Sequence, residues 1–173
     1  MSLAVVAALA LLALDPSDPP PPHVRPDRPL RPFVEESARR SPSIRALIER
    51  LEATDVIVYV RMRAFNEASL EGHVGILTTT ASGQRYLVIE LACGRTGLTT
   101  MATLGHELYH ALEIAQEPSI VDARTLAAFY RRHGIETGGM AGRQTFETEG
   151  AEQAGRQARR ELADNTRHTW NSK

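Results

Sequence analysis

The sequence predicts an α+β fold in which a small mixed sheet of three or four strands packs on one long helix, followed by a helical C-terminal part. Three stretches rich in β-branched and aromatic residues predict the strands, at 55–63, 73–80 and 84–91. The short turn at 81–83 joins the last two strands as a hairpin. Residues 98–116 contain no proline and predict the long helix.

Further helices flank this unit in the sequence. Ser41 and Pro42 form an N-cap and first-turn pair, which predicts a helix from Pro42 to Glu52. The other predicted elements, in chain order, are a helix at 120–133, a glycine-rich loop at 135–142 and a final helix at 143–166.

The 173 residues divide into three expected regions. Residues 1–14 are an apolar N-terminal segment, too short to span a bilayer and typical of an export signal. Residues 15–32 are proline-rich and predict a semi-rigid linker. Residues 33–173 are long enough for one hydrophobic core. We expect an exported protein, in the periplasm, the envelope or outside the cell, which the N-terminal segment places near a membrane; without a signal it would be cytoplasmic.

Composition excludes several functional classes. The chain has 20 Lys and Arg against 21 Asp and Glu, and its net charge is -1. This balance lacks the basic stripe that nucleic-acid binding requires, so we expect no nucleic-acid partner. The single cysteine, Cys93, excludes an intrachain disulfide framework and a cysteine-rich zinc site.

One motif in the predicted long helix carries chemistry. Residues 106–110 read His-Glu-Leu-Tyr-His, an HExxH pattern. Residues four apart lie on the same face of a helix, so His106 and His110 can bind one metal ion. Two imidazoles and one carboxylate suit Zn²⁺ and leave a position for water, whose pKa the metal lowers. Glu107 then lies beside the metal as the candidate general base.

The rest of this helix supports an enclosed position. Helical spacing places Leu104, Leu108, Ala111 and Ala115 on one face, which predicts a core stripe. The two histidines fall on the opposite face, and the flanking residues Leu108, Tyr109 and Ala111 are uncharged. The alternative is a pair of surface histidines on an ordinary amphipathic helix.

The motif helix resembles that of the zincin metallopeptidases, and the three strands before it resemble the zincin sheet more loosely. The resemblance implies a zincin-like fold, in which an antiparallel edge strand binds substrate in extended form above the motif helix. Residues 84–91 are the candidate for that edge. The metzincin branch would place glycine at 113 and histidine at 116, where this chain has Glu113 and Gln116. The chain is therefore similar to a small, atypical gluzincin.

In the gluzincins, a glutamate from a later helix completes the metal site. The predicted final helix offers Glu147, with Glu149 as the alternative and Glu152 after it. Glu147 is preferred because small residues follow it, and small residues let this helix pack closely on the motif helix. These small residues are Gly150, Ala151 and Gly155.

Other residues are candidates for supporting roles. A peptidase needs a hydrogen-bond donor for the oxyanion of its tetrahedral intermediate, and Tyr109, Tyr130 and His133 are candidates. Glu113 lies one turn after His110 and is a candidate to orient that imidazole. Each of these residues has an alternative role in packing, capping or surface solvation.

Together these expectations describe a zinc-dependent peptidase with one Zn²⁺ per chain, which hydrolyses peptide bonds in a peptide or protein substrate. One alternative is a catalytically inactive module of the same fold that binds a metal or a peptide. A helical module without metal is a third hypothesis. The intact Glu107 favours the enzyme, because metal binding alone does not require it.

Overall fold

The computed structural model of the protein describes residues 20–66, 69–94, 97–140 and 143–171. Within them the fold is α+β, with a four-stranded mixed sheet, a separate two-stranded sheet and five α-helices. The expected signal at 1–14 and the start of the expected linker lie outside the described residues. Among the helices that are described, none has both the length and the apolar character needed to cross a membrane.

The elements follow one another along the chain with short connections. They are, in order, β1 Val24–Pro26, a 3₁₀ turn Arg28–Leu30, α1 Arg31–Arg40, α2 Pro42–Glu52, β2 Val56–Arg63, β3 Gly72–Thr79, β4 Arg85–Ala92, α3 Gly97–Gln116, α4 Ala123–His133, β5 Ile135–Met140, β6 Arg143–Glu147 and α5 Glu149–Asn171.

The large sheet has the strand order β1-β2-β4-β3. Strands β1, β2 and β4 are parallel, and β3 is antiparallel to β4. The expectation that residues 84–91 form the edge is therefore wrong. All residues of β4 except Tyr86 are buried, and a strand that is buried on both faces belongs in the interior of a sheet. The antiparallel strand at the end of the sheet is β3, which packs on α3.

The proline-rich stretch contributes a strand to this sheet. The Val58 amide donates to the carbonyl of His23 at 2.8 Å, and the Asp27 amide donates to that of Val60 at 2.9 Å. Pro26 fits at an edge position because the edge strand needs hydrogen bonds on one side only. Val24 is buried. The expected linker at 15–32 therefore ends too late, since its second half belongs to the folded domain.

The C-terminal part differs most from the expectation. Strands β5 and β6 form a hairpin where the sequence predicted a glycine-rich loop and the first turn of a helix. The helix α5 begins only at Glu149, because the Thr148 hydroxyl accepts a hydrogen bond from the Ala151 amide at 3.2 Å. Both expectations for residues 135–148 are therefore wrong, and Glu147 ends a strand.

Most other boundaries confirm the sequence-based predictions. α3 and the three predicted strands begin and end within one residue of the expected positions. The Ser41 hydroxyl caps α2 by accepting from the Ile44 amide at 3.2 Å. α4 begins three residues later than the predicted start at 120, because Asp122 and Thr125 form a capping box there.

α3 lies at the centre of the domain. Leu104, Leu108 and Ala111 are fully buried, which confirms the core stripe. The opposite face is enclosed as well, because α5 packs across it. A Cβ atom on Gly105 would lie only 3.0 Å from the Cβ of Ala158, so the two helices approach each other closely at small residues. The motif helix is thus surrounded by protein on most of its length.

Candidate metal centre

Three side chains converge where α3 meets the end of β6. The Nε2 atom of His106 lies 2.8 Å from Oε2 of Glu147, and the Nε2 atom of His110 lies 3.4 Å from the same oxygen. One ligand atom from each residue falls within 4.8 Å of the others. Two imidazole nitrogens and a carboxylate oxygen at this separation could hold one metal ion.

The two histidines reach the same point because of their helical spacing. Their rings meet edge to face, with centroids 4.8 Å apart and an interplanar angle of 78°. His106 is also held from behind by α5, since a Cβ on Gly155 would lie 3.2 Å from the Cβ of His106. The expected close approach at Gly155 is therefore present.

Glu147 reaches the cluster from a strand end, and not from a helix as predicted. The hairpin packs closely against Gly134. A Cβ added to this glycine would lie 2.9 Å from the Cβ of Phe146 and 3.4 Å from the carbonyl oxygen of Glu147. The other two candidates for the third ligand are exposed and point elsewhere. Glu149 accepts a hydrogen bond from Gln153, and Glu152 pairs with Arg156.

His110 is oriented by two further side chains. Its Nδ1 atom lies 2.8 Å from Oε2 of Glu113 and 3.1 Å from the hydroxyl of Tyr130. Both contacts are on the ring nitrogen that faces away from Glu147. This leaves Nε2 as the candidate ligand atom, and the contact with Glu113 fits the orienting role that was predicted for that residue. It favours ring orientation over oxyanion binding for Tyr130.

The remaining candidates do not join the cluster. The ring of Tyr109 packs directly over Gly150, which leaves no room there for a side chain. His133 is exposed at the end of α4, and its ring packs on Phe129 with centroids 4.9 Å apart. Neither residue contacts the three converging side chains within the part of the chain that the structure describes.

Charge is strongly coupled within the cluster. Burial opposes a charged imidazole at His110, but hydrogen bonds with Glu113 and Glu147 prevail and raise its pKa to about 9. Burial likewise opposes a charge on Glu147, but the hydrogen bonds with His106 and His110 lower its pKa to about 2. At neutral pH the arrangement is therefore an imidazolium held between carboxylates, which is the charge pattern of a cation site.

Glu107 lies beside the cluster and is 5% exposed. Burial raises the pKa of its carboxyl group, while the charges of His110 and His106 act in the opposite direction. Among the residues that the structure describes, none forms a hydrogen bond with this carboxylate. A buried carboxylate in this position, next to three side chains that could hold a metal ion, is suited to accept a proton.

Two glycines that contact the site were missed by the sequence analysis. Gly72 of β3 lies against Glu107, and Gly134 lies under Glu147. The sequence contains 12 glycines, and no local pattern separates these two from the glycines of ordinary turns. Only the contacts in the folded chain identify them.

Comparisons of the chain with protein-family models, with curated proteins and with solved structures give no match.

Proposed function

We propose that the protein is a zinc-dependent peptidase of gluzincin-like type. The observation that carries the proposal is the convergence of His106, His110 and Glu147 beside the buried Glu107, whose carboxylate has no hydrogen-bond partner among the described residues. The first three supply ligands, and the fourth is not needed to bind a metal. A site that only stores a cation has no use for a protonatable carboxylate in this position.

The donor set fits zinc. Two imidazole nitrogens and one carboxylate oxygen make a three-ligand site with a fourth position for water, which is the pattern of catalytic zinc. When bound, zinc would polarise the peptide carbonyl and lower the pKa of that water. Glu113 would hold the His110 ring by accepting from its Nδ1–H, and this contact would keep Nε2 free of a proton.

Glu107 performs the proton transfers in this scheme. Its carboxylate takes a proton from the attacking water and delivers it to the nitrogen of the departing amine. Burial raises its pKa, and a raised pKa makes the carboxylate a stronger base at neutral pH. The low exposure of Glu107 itself also limits the access of bulk water to this carboxylate.

β3 is the candidate for the substrate strand. It is the antiparallel strand at the end of the described sheet, and it packs on the motif helix. An edge strand can pair with an extended peptide through main-chain hydrogen bonds. The resemblance to the zincins implies this arrangement, with β3 in the place that was expected for residues 84–91. The substrate class is therefore an extended peptide or an unfolded protein segment.

The proposal is tested with zinc-loaded full-length protein and a mixed pool of peptides, with products read by mass spectrometry. We expect Glu107→Gln to retain zinc and to cut slower by about 100-fold or more, since general-base catalysis typically contributes that much. Glu149→Gln is the matched control, because Glu149 is exposed on α5. Unchanged cleavage in Glu107→Gln, or no cleavage by the zinc-loaded wild type, would contradict the proposal.

A further inference from the structure

The edge strand β3 touches the candidate general base at one residue. A Cβ atom on Gly72 would lie 2.6 Å from Oε1 of Glu107 and 2.9 Å from its Cγ atom. It would also lie 2.6 Å from Cγ2 of Thr103, one helical turn earlier. These separations are shorter than real Cβ contacts, so any side chain at position 72 would force the neighbouring side chains or the backbone to shift. We propose that Gly72 is a positioning residue for Glu107, a role that rests on the proposed peptidase function.

The backbone on the β3 side is firmly placed. The Ala92 amide donates to the carbonyl of Glu71 at 2.8 Å, which ties this end of β3 to β4. The Thr103 hydroxyl lies 3.3 Å from a carboxylate oxygen of Glu71 and also donates to the carbonyl of Thr99 at 3.1 Å. The strand therefore cannot retreat from α3 without breaking the contacts that Glu71, the residue before Gly72, makes with β4 and with Thr103.

The helix on the other side is equally constrained. α3 is packed against α5, and a Cβ on Gly105 would lie only 3.0 Å from the Cβ of Ala158, so the two helices are close together where α3 would have to move back. Protein interiors are close-packed and transmit strain to their most adjustable part. Between a fixed strand and a fixed helix, the adjustable part is the Glu107 side chain. An added methyl group at position 72 would displace its carboxylate.

The neighbouring glycine of β3 shows that this requirement is local. A Cβ on Gly75 would have its nearest contact at 3.4 Å, with the Nε2 atom of His73, which is ordinary van der Waals contact. The two glycines of β3 thus differ in function. Position 75 has room for a methyl group, whereas Gly72 provides the space that the proposed general base occupies.

The kinetic consequence separates this role from a purely structural one. Glu107 is not a proposed metal ligand, so Gly72→Ala should bind zinc as the wild type does. Substrate pairing along the strand uses main-chain groups, so KM should change little. A catalytic group displaced by about 1 Å typically costs 100-fold in rate, and we expect kcat to fall by about that factor.

The test combines kinetics with crystal structures of the full-length Gly72→Ala and Gly75→Ala variants. The proposal expects the Glu107 carboxylate to be displaced in Gly72→Ala and to keep its wild-type position in Gly75→Ala. Gly97→Ala, where a Cβ would meet nothing within 4 Å, is the control for unchanged activity. If Gly72→Ala leaves the carboxylate in place, or keeps the wild-type kcat, the role assigned to Gly72 is wrong.

Failure of the peptidase proposal can be distinguished from failure of the role proposed for Gly72, and a variant that does not fold has a substitute. If the zinc-loaded wild type cuts no peptide, the peptidase proposal fails, and the crystal structures still decide whether Gly72 positions Glu107. If Gly72→Ala does not fold, Gly72→Ala/Thr103→Ser removes the Cγ2 contact and retains the hydroxyl. This double variant keeps the contact with Glu107, so a displaced carboxylate is expected and an undisplaced one overturns the inference.

Discussion

His110 contacts neighbouring side chains of the candidate metal site through both of its ring nitrogens. Nε2 faces Glu147, and Nδ1 faces Glu113 and Tyr130. A metal ligand must be a neutral imidazole, so every group that stabilises its protonated form competes with metal binding. At the scale of single residues, a proton and the proposed metal ion therefore compete for the same imidazole ring.

Zinc binding at neutral pH is predicted to release a proton from His110. The pKa of this imidazole is raised from 6.5 to about 9, so the ring is protonated at pH 7 before zinc binds. Zinc affinity should rise by about tenfold per pH unit up to that pKa. Folding stability without zinc depends on pH in the opposite direction. The stabilisation that comes from the raised pKa is complete below pH 6.5 and is lost as the pH rises through about 9. Calorimetric titrations in buffers of different ionisation enthalpy measure the released proton, and enthalpies that are independent of the buffer would contradict the prediction.

Glu113 should support the metal site without being a ligand. Its carboxylate lies 2.8 Å from Nδ1 of His110 and fixes the orientation of the ring. We expect Glu113→Gln to weaken zinc affinity by about 10- to 100-fold, the usual effect of removing such a partner. Competition with a chelator of known affinity measures this change. Glu152→Gln, on the exposed face of α5, is the control, and an equal affinity in both variants would argue against the role of Glu113.

At the scale of elements, α3 is anchored at its C-terminal end by one buried side chain. The guanidinium of Arg85 donates to the carbonyls of Ile114 and Ala115 at 2.7 and 2.9 Å, and to the carbonyl of Glu117 at 2.9 Å. It also pairs with Asp55 at 2.7 Å. The last carbonyls of a helix have no partner within the helix, so Arg85 of β4 satisfies them and attaches the motif helix to the sheet.

Removal of this anchor is predicted to destabilise the whole domain. Arg85→Met would remove one donor from each of these three carbonyls, two of which keep a backbone amide donor, and it would leave Asp55 without its partner. We expect the free energy of unfolding to fall by about 3 kcal/mol. Urea unfolding followed by circular dichroism measures the difference. Arg156→Met removes an exposed pair on α5 and should cost no more than about 0.5 kcal/mol. Similar losses in both variants would contradict the anchoring role.

The β5–β6 hairpin is the element that carries Glu147, the proposed third ligand. A Cβ on Gly134 would lie between the carbonyl oxygen of Tyr130, at 2.8 Å, and the Cβ of Phe146, at 2.9 Å, so a side chain at position 134 should push the strand end away from the histidines. We expect Gly134→Ala to weaken zinc affinity while the helical circular dichroism signal stays unchanged. Zinc titration with Gly97→Ala as the control tests this, and wild-type affinity in Gly134→Ala would show that the hairpin adjusts freely.

At the scale of the whole molecule, the folded unit includes the second half of the proline-rich stretch. The buried Val24 and the ladder hydrogen bonds of β1 complete the sheet. A chain that begins at residue 33 should therefore be less stable than one that begins at residue 20, by about 2 kcal/mol or more, from the loss of one buried valine and its strand. Thermal unfolding of the two chains tests this, and equal stability would place β1 outside the cooperative fold.

The sequence predicted the elements whose patterns are long and periodic. The 20-residue α3 and the three β-branched strands were placed to within one residue. The HExxH spacing alone places His106 and His110 on one face of a helix. Glu113 lies one helical turn after His110, and this spacing predicts that its carboxylate contacts the His110 ring. These features depend on local geometry, and local geometry can be read from a sequence.

The parts that were predicted wrongly depend on tertiary contacts. Strand order depends on which strand is buried on both faces. The turn at 81–83 joins β3 and β4, and this hairpin alone is compatible with either of the two strands at the edge of the sheet. β1 is formed by three residues, and a strand that short has no periodicity of its own. The residues before Thr148 pair with the strand β5, whose two consecutive glycines lower its propensity for a sheet. Glu147 was therefore identified as a candidate ligand for the wrong structural reason.

Metal content measured by elemental analysis tests the central claim most directly. Full-length protein is loaded with zinc, passed over a desalting column, and compared with His106→Ala, Glu147→Ala and the exposed control Glu149→Ala. The account predicts about one zinc per chain in the wild type and in Glu149→Ala, and loss of zinc in the other two variants. No retained zinc in the wild type, or full retention in Glu147→Ala, would contradict the three-ligand site and the peptidase function that depends on it.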